Sequence, residues 1–182
     1  VRQTQEVVRV AHALGVSVEA ELGSIAGSAV ETGGAAEPKE PSDGSDPGSS
    51  YTDPVLAQDF VERTGVNALA ISFGNVHGSY RGEPNLNLDL VREVFARVDV
   101  PLVMHGASGL ADGEYKDLVE SGISKVCYYT AMGKRAANDL HSWLADTDQN
   151  GTVYHQVISR SIDFFRTDTR QVLALVGCVG IA

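Results

Sequence analysis

The sequence predicts an α/β protein with parallel strands, covering the last four strands and helices of an eight-stranded TIM (β/α)8 barrel. Strand-like segments at 16–22, 68–73, 100–104 and 123–128 are each followed, directly or after a loop, by a helical pattern. The first of these strands carries carboxylates on the face that a barrel would turn inward, and the second and third each lead into a His-Gly pair. A four-stranded open sheet is possible, but the inward acids and paired His-Gly turns favour a closed barrel.

Composition and charge limit the function classes. The 182 residues suffice for a single domain with a sizeable core, so we treat 1–182 as one partial barrel. The net charge of −10 argues against nucleic-acid binding, and no apolar run approaches the length of a membrane span. The two cysteines predict no disulfide framework, which makes the cytoplasm the default location. Because Val1 opens directly into a helical pattern, we expect an amino-terminal half upstream.

The first elements are a helix over Val1–Leu14 and a strand over Val16–Leu22. The strand alternates strictly, with Glu19 and Glu21 on the face opposite its apolar residues. Inside a barrel, such acids are costly unless a cation or hydrogen bonds meet them. At a solvent-facing edge, the same pattern would be an ordinary amphipathic strand.

A long segment, 23–50, follows the first strand. It is rich in glycine, serine, proline and acidic residues and has no periodicity, so we predict a mobile loop that could serve as an active-site lid. Its ionisable candidates are Glu31, Glu37 and Glu40.

The middle of the chain predicts a strand-helix-strand unit. Tyr51–Thr64 is a helix that Thr52 or Asp53 caps. The strand 68–73, the helix 86–98 and the strand 100–104 then place two parallel strands side by side.

The later elements alternate in the same way. Ala111–Ser121 is a helix capped by Asp112, and 123–128 is the fourth strand. Thr130 caps the helix Ala131–Leu144. Two further helices, 152–165 and 169–176, are separated by a polar break at 166–168.

His77 and His105 lie just past the carboxyl ends of neighbouring predicted strands, where they can share one metal ion. Zinc binds neutral imidazole, and a catalytic zinc usually has three protein ligands. Glu21 could be the third ligand, as could a residue outside this chain. The alternative is that each histidine is only a hydrogen-bonded turn residue.

Glycines and hydroxyls at the same strand ends favour anion binding. The residues concerned precede helices, so their N–H groups could cradle a phosphate; they are Gly78, the run Gly106–Gly109 and Thr130. Taken singly, each of them would also be explained by an ordinary role in a turn or a helix cap. A metal beside a phosphate site suits a phosphorylated keto-sugar. Aldol cleavage, epimerisation and isomerisation are all consistent with it.

Five motifs carry a resemblance to a known family: Val18-Glu-Ala-Glu-Leu-Gly23, Tyr51-Thr-Asp-Pro54, Gly74-Asn-Val-His-Gly78, the run from Pro101 to Leu110, and Gly122-Ile-Ser-Lys-Val126. With these motifs in order, the sequence resembles the class II, zinc-dependent fructose-bisphosphate/tagatose-bisphosphate aldolases. The resemblance implies a TIM barrel that assembles as a homodimer or larger, and a role in carbohydrate metabolism such as glycolysis.

The resemblance also implies site residues. His77 and His105 would be two of three zinc ligands, with Glu21 beside the metal. A sugar-phosphate substrate would be held through the phosphate of its dihydroxyacetone-phosphate half, with a monovalent cation nearby, by Gly78, Gly106, Ser108 and Thr130. The family's Asp-His pair, which supplies the proton donor and the remaining zinc ligand, would lie upstream.

Three positions depart from the family pattern. Ala29 stands near the place of the glutamate that abstracts the proton, which leaves Glu31 as the candidate base. Cys127 replaces an asparagine that contacts the substrate, and Tyr129 replaces a further polar residue. The expectation is therefore an aldolase that cleaves a ketose phosphate to dihydroxyacetone phosphate and an aldehyde. The alternative is a non-catalytic sugar-phosphate-binding or assembly subunit, and an epimerase or isomerase is a weaker third possibility.

Overall fold

The computed structural model describes residues 1–27, 51–78, 80, 82–147 and 151–179. Four strands form a parallel sheet in the order β1-β3-β5-β6. A second, two-stranded parallel sheet joins β2 to β4. The strands are β1 (Glu19–Leu22), β2 (Ala26–Gly27), β3 (Ala68–Ile71), β4 (Val76–His77), β5 (Leu102–Met104) and β6 (Ile123–Val126). The helices are α1 (Arg2–Ala13), α2 (Pro54–Thr64), α3 (Leu88–Phe95), α4 (Asp112–Glu120), α5 (Thr130–Asp146) and α6 (Tyr154–Leu175).

The two central strands, β3 and β5, carry the core. Leu69, Ile71, Leu102 and Met104 are completely buried, together with Val91 of α3. Strands covered on both faces read as continuous apolar runs, which is what parallel pairing requires. The prediction that these strands are parallel neighbours is confirmed. The α/β class is likewise confirmed, whereas closure into a barrel stays a prediction.

Helix α2 shows how local sequence sets the element boundaries. The Asp53 carboxylate accepts hydrogen bonds from the backbone N–H groups of Val55 and Leu56 at 2.8 and 2.9 Å. Pro54 occupies the first turn, where its missing N–H costs nothing, and Gly65 ends the helix at φ +69°. Of the two caps predicted, Asp53 is therefore the one used.

Several predicted boundaries were wrong. Strand β1 begins at Glu19 rather than at residue 16. The polar break at 166–168 does not exist, because Asp168 turns inward from a continuous α6 and accepts hydrogen bonds from Arg135. Asp112 does not cap α4. The side chain of Glu114 instead accepts a 2.6 Å hydrogen bond from the N–H of Ala111.

Two further differences lie near the predicted site. Thr130 is the first residue of α5, and Tyr129 precedes it as the cap residue. The predicted loop 23–50 contains β2, whose residues Ala26 and Gly27 pair with Val76 and His77. The rest of that loop, 28–50, lies outside the described residues. Among the helices that the structure describes, none is long and apolar enough to cross a membrane.

Candidate active site

Three predicted metal ligands come together at the carboxyl end of the sheet. Glu21 lies on β1, His77 on β4, and His105 directly after β5. One candidate ligand atom from each residue lies within 4.8 Å of the other two. The Glu21 Oε2 atom is 2.7 Å from Nδ1 of His105 and 3.8 Å from Nε2 of His77. The side chains of Glu21, His77 and His105 are each 21 to 34% exposed, so the cluster is open to a solute.

Asn75 fixes the two histidine-bearing segments to one another. Its Oδ1 accepts the N–H of Phe73 at 2.9 Å, and its Nδ2 donates to the carbonyl oxygens of Ile71 and His105 at 3.3 and 3.0 Å. The residue is 2% exposed, so each of these bonds is made away from water. Asn75 therefore ties the turn before His77 to the backbone of His105.

Gly106 brings the same two segments close together. It has a φ of +70°, and a Cβ there would lie 2.5 Å from the carbonyl carbon of Val76 and 3.1 Å from the nitrogen of His77. Only glycine fits both the conformation and the space. Tyr80 adds a hydroxyl that donates to the carbonyl oxygen of Gly106 at 3.0 Å. Burial raises the pKa of Tyr80 to about 12.

A second carboxylate, Glu19, reaches the other side of the His105 ring. Its Oε1 lies 3.0 Å from Nε2 of His105, and its Oε2 accepts a 2.6 Å bond from Nζ of Lys125. Partial burial opposes ionisation of Glu19, but the bonds and charges of Lys125 and His105 outweigh it and hold its pKa below the ordinary value. The same pair raises the pKa of Lys125. Both acids of the predicted inward face are thus partnered.

A cleft of about 720 Å³ opens beside the cluster. Ser108 and Thr130 in its wall are buried, and the Ser108 hydroxyl accepts the N–H of Tyr129 at 3.3 Å. Thr130 begins α5, so the amino terminus of a 17-residue helix faces this cleft. The lining residues are His77, Gly78, His105, Gly106, Ser108, Cys127, Tyr128, Tyr129, Thr130, Gly133, Lys134 and Ala137.

The structure gathers most predicted site residues and leaves one undescribed. Gly78, Gly106, Ser108, Cys127 and Thr130 all line the cleft that holds the two histidines. Burial is the main cause that raises the pKa of the Cys127 thiol, which favours its neutral form. The predicted base, Glu31, lies in the undescribed segment 28–50.

Sequence reasoning missed three residues that shape the site. Lys125 lies inside the motif that ends at Val126, but a lysine on a strand is ordinarily a surface residue, and Tyr80 in a loop carried no signal. Asn75 sat inside the motif around His77, and an amide just before a predicted ligand is a signal for backbone bridging that went unused.

Comparison with known proteins places the chain in a family. The family described as fructose-bisphosphate aldolase class-II matches residues 1–180. The chain is 42% identical over 136 residues to the Escherichia coli K12 protein named "Uncharacterized protein YdjI", covering 75% of this chain and 45% of that protein. It is 39% identical over 145 residues to a "Probable fructose-bisphosphate aldolase" of Bacillus subtilis 168, covering 80% and 47%.

Comparison with solved structures also finds aldolases. The crystal structure of the YdjI aldolase from Escherichia coli K12 superposes with a TM-score of 0.76 at 32% identity, over 98% of this chain and 56% of that one. A putative fructose-1,6-bisphosphate aldolase from Coccidioides immitis has a TM-score of 0.78 at 24% identity, over 98% and 58%, and shows the shared fold alone. The chain thus spans about half the length of the relatives it matches. With a family match along almost its whole length, the chain belongs to the class-II fructose-bisphosphate aldolase family.

Proposed function

We propose that this chain is part of a zinc-dependent aldolase that reversibly cleaves a ketose (bis)phosphate into dihydroxyacetone phosphate and an aldehyde. The observation that supports the proposal is the convergence of Glu21, His77 and His105 beside a cleft lined by glycines and hydroxyls. Because the chain spans about half of its relatives, the activity is proposed for the whole protein. Cytoplasmic location and homodimer assembly remain predictions.

The chemistry of the three clustered side chains fits zinc. Two imidazoles and one carboxylate are a donor set that catalytic zinc uses, with a further position left for water or substrate. Bound zinc would act as a Lewis acid toward the substrate carbonyl. Glu21 has a second role available, since its carboxylate already contacts both histidines and can hold their rings in place. A further ligand from upstream stays a prediction.

The phosphate of the substrate would bind at the other end of the cleft. The helix α5 begins there, and its first N–H groups and dipole favour an anion. Gly78 and Gly106 permit close approach of the backbone, and Ser108 and Thr130 offer hydroxyls. We propose that these four residues hold the dihydroxyacetone-phosphate half, beside a monovalent cation. Cys127 would contact the substrate from the strand-end side.

Proton transfer requires a group that the described residues do not identify. We propose Glu31 as the base that removes the proton from the substrate carbon, since the resemblance leads us to expect a carboxylate close to this position and a carboxylate can move a proton by general base catalysis. The proton donor is expected in the Asp-His pair upstream. An E31Q variant that retains full turnover would remove Glu31 from this role.

The test is a coupled assay of triose release over a panel of ketose phosphates and bisphosphates, using the complete protein. We expect turnover that chelation abolishes and added zinc restores. H77A and H105A should each reduce activity at least a hundredfold, because each removes a ligand from the donor set. H155A, an exposed residue of α6, is the matched control and should keep full activity. Zinc-independent turnover, or undiminished activity of H77A, would overturn the proposal.

A non-catalytic sugar-phosphate-binding protein is the second candidate, and Cys127 and Tyr129 favour it. They replace polar residues that the resemblance leads us to expect in the cleft, and Tyr129 is 67% exposed there. This candidate predicts that sugar phosphates bind in calorimetry and that none of them is cleaved. Any zinc-dependent triose release excludes it.

A further inference from the structure

The His105 ring has a carboxylate at each nitrogen. Nδ1 faces Glu21 at 2.7 Å, and Nε2 faces Glu19 at 3.0 Å. The Glu21 oxygen involved is also the one nearest His77, at 3.8 Å. The edge of the ring that carries Nδ1 therefore faces the cluster, whereas Nε2 points away from it toward Glu19.

This arrangement determines which nitrogen of His105 would carry the ring proton when the other nitrogen binds a metal ion. Ligation through Nδ1 requires that this nitrogen carry no proton, so the ring proton lies on Nε2. An Nε2–H then donates to the Glu19 carboxylate, which is already in hydrogen-bond reach. A carboxylate on the far nitrogen fixes the tautomer and orientation of a ligand histidine and makes the ligating nitrogen more basic.

Glu19 is itself held in place from across the sheet. Its other oxygen, Oε2, accepts a 2.6 Å hydrogen bond from the ammonium group of Lys125. β1 and β6 are the outermost strands of the four, which in a flat sheet would lie roughly 14 Å apart. The pair Glu19–Lys125 therefore spans the sheet above β3 and β5, which requires the sheet to curve. Through the remaining oxygen of Glu19, this pair reaches the ring of His105.

We propose that Glu19 is a positioning residue, braced by Lys125, which orients His105 for metal binding by the Glu21–His77–His105 cluster. The inference rests on the proposed metal site and adds to it a residue that would touch neither metal nor substrate. Lys125 is 55% exposed, so its contribution is the smaller one.

The variants separate orientation from charge. E19A removes the acceptor, E19Q keeps a neutral acceptor oxygen, and K125M removes only the brace. The controls are E120Q and K116M, which alter an exposed ion pair on the surface of α4 whose atoms lie 3.6 Å apart. E120Q makes the same change in charge as E19Q, and K116M makes the same change as K125M. A general electrostatic effect on metal affinity would therefore appear in the control variants as well.

The measurement is the zinc dissociation constant of the complete protein by chelator competition, with the visible spectrum of the Co²⁺-loaded protein as a second readout. We expect E19A to weaken zinc binding about 10- to 100-fold and to alter the Co²⁺ bands, with smaller losses in E19Q and K125M. The controls should match the wild type. A thermal melt of each metal-free variant checks that it folds.

The outcomes distinguish this inference from the function on which it rests. A wild type that binds no zinc or Co²⁺ overturns both. A wild type that binds zinc, with E19A unchanged in affinity and spectrum, overturns the role of Glu19 alone. If E19A fails to fold, E19Q and K125M decide, and wild-type affinity in both of them overturns the inference.

Discussion

Replacing Gly106 with alanine should damage the site and the fold together. Gly106 directly follows His105 and has a φ of +70°. It supplies no side-chain ligand to the proposed metal cluster, so an effect of the added methyl group on stability or on zinc affinity arises through the position of the backbone. The substitution therefore tests whether the close approach of the two histidine-bearing segments matters.

The magnitude follows from two terms. A left-handed conformation costs an alanine about 1–2 kcal/mol relative to glycine. The new methyl carbon would lie 2.5 Å from the Val76 carbonyl carbon, which is backbone and cannot swing aside, so β4 must move by about 1 Å. Together we expect a loss of about 3 kcal/mol in the free energy of unfolding. Because His77 is the next residue in β4, the zinc affinity should fall by at least tenfold.

The assay is urea denaturation of the metal-free protein together with zinc competition. Gly113 provides the control, since it lies in helix α4 with open space around the position of a Cβ. G113A should leave zinc affinity unchanged and stabilise the protein by up to about 1 kcal/mol. If G106A keeps wild-type stability and zinc affinity, the segments are not held as the structure describes and the reasoning fails.

Three further predictions concern buried polar groups. R135M should destabilise the protein by about 3 kcal/mol, because it leaves the buried Asp168 carboxylate without its partner. D168N should cost only about 1 kcal/mol, because the Arg135 side chain that loses its partner can turn to water. Equal losses of the two variants in urea denaturation would contradict this. N75D should cost about 3 kcal/mol and weaken zinc binding, because a carboxylate would face the carbonyl oxygen of His105; wild-type values would argue against the bridge. Tyr80 has a raised pKa, so its stabilisation is complete below about pH 10 and is lost as the pH rises toward 12. The stability of Y80F should therefore decline less than that of the wild type over this range, and parallel declines would refute it.

The sequence sufficed for the class of the fold and for much of the site. Apolar runs at 68–73 and 100–104 around an amphipathic helix required parallel pairing, because a connection of that length crosses over the sheet. A His-Gly pair after each run then placed two imidazoles at one end of the sheet. The alternation of Val18–Leu22 placed Glu19 and Glu21 on one face, and the structure finds both carboxylates at His105.

The sequence failed where a distant partner decides a local outcome. The polar residues 166–168 resemble a helix break until Asp168 meets Arg135, which is 33 positions away in the chain. Strand β1 starts late, at Glu19, because its ladder with β3 begins at the pair Glu19 and Ala68, which the alternation of residues 16–22 does not reveal. Glu31 was predicted as a substitute base because Ala29 stands near the position of the family's glutamate, and this prediction stays untested, since Glu31 lies outside the described residues.

The sequence by itself determined which chemical groups stand at the strand ends, because periodicity fixes the face of each side chain and strand order fixes the end of the sheet. Only the tertiary structure decided how those groups pair. Both oxygens of Glu19 are engaged, by His105 and by Lys125, and Asn75 bridges the backbone of His105. Such contacts join residues 30 to 106 positions apart, and their distances depend on the curvature and register of the sheet. No local sequence pattern encodes the curvature and register of the sheet, since both result from packing of the whole domain.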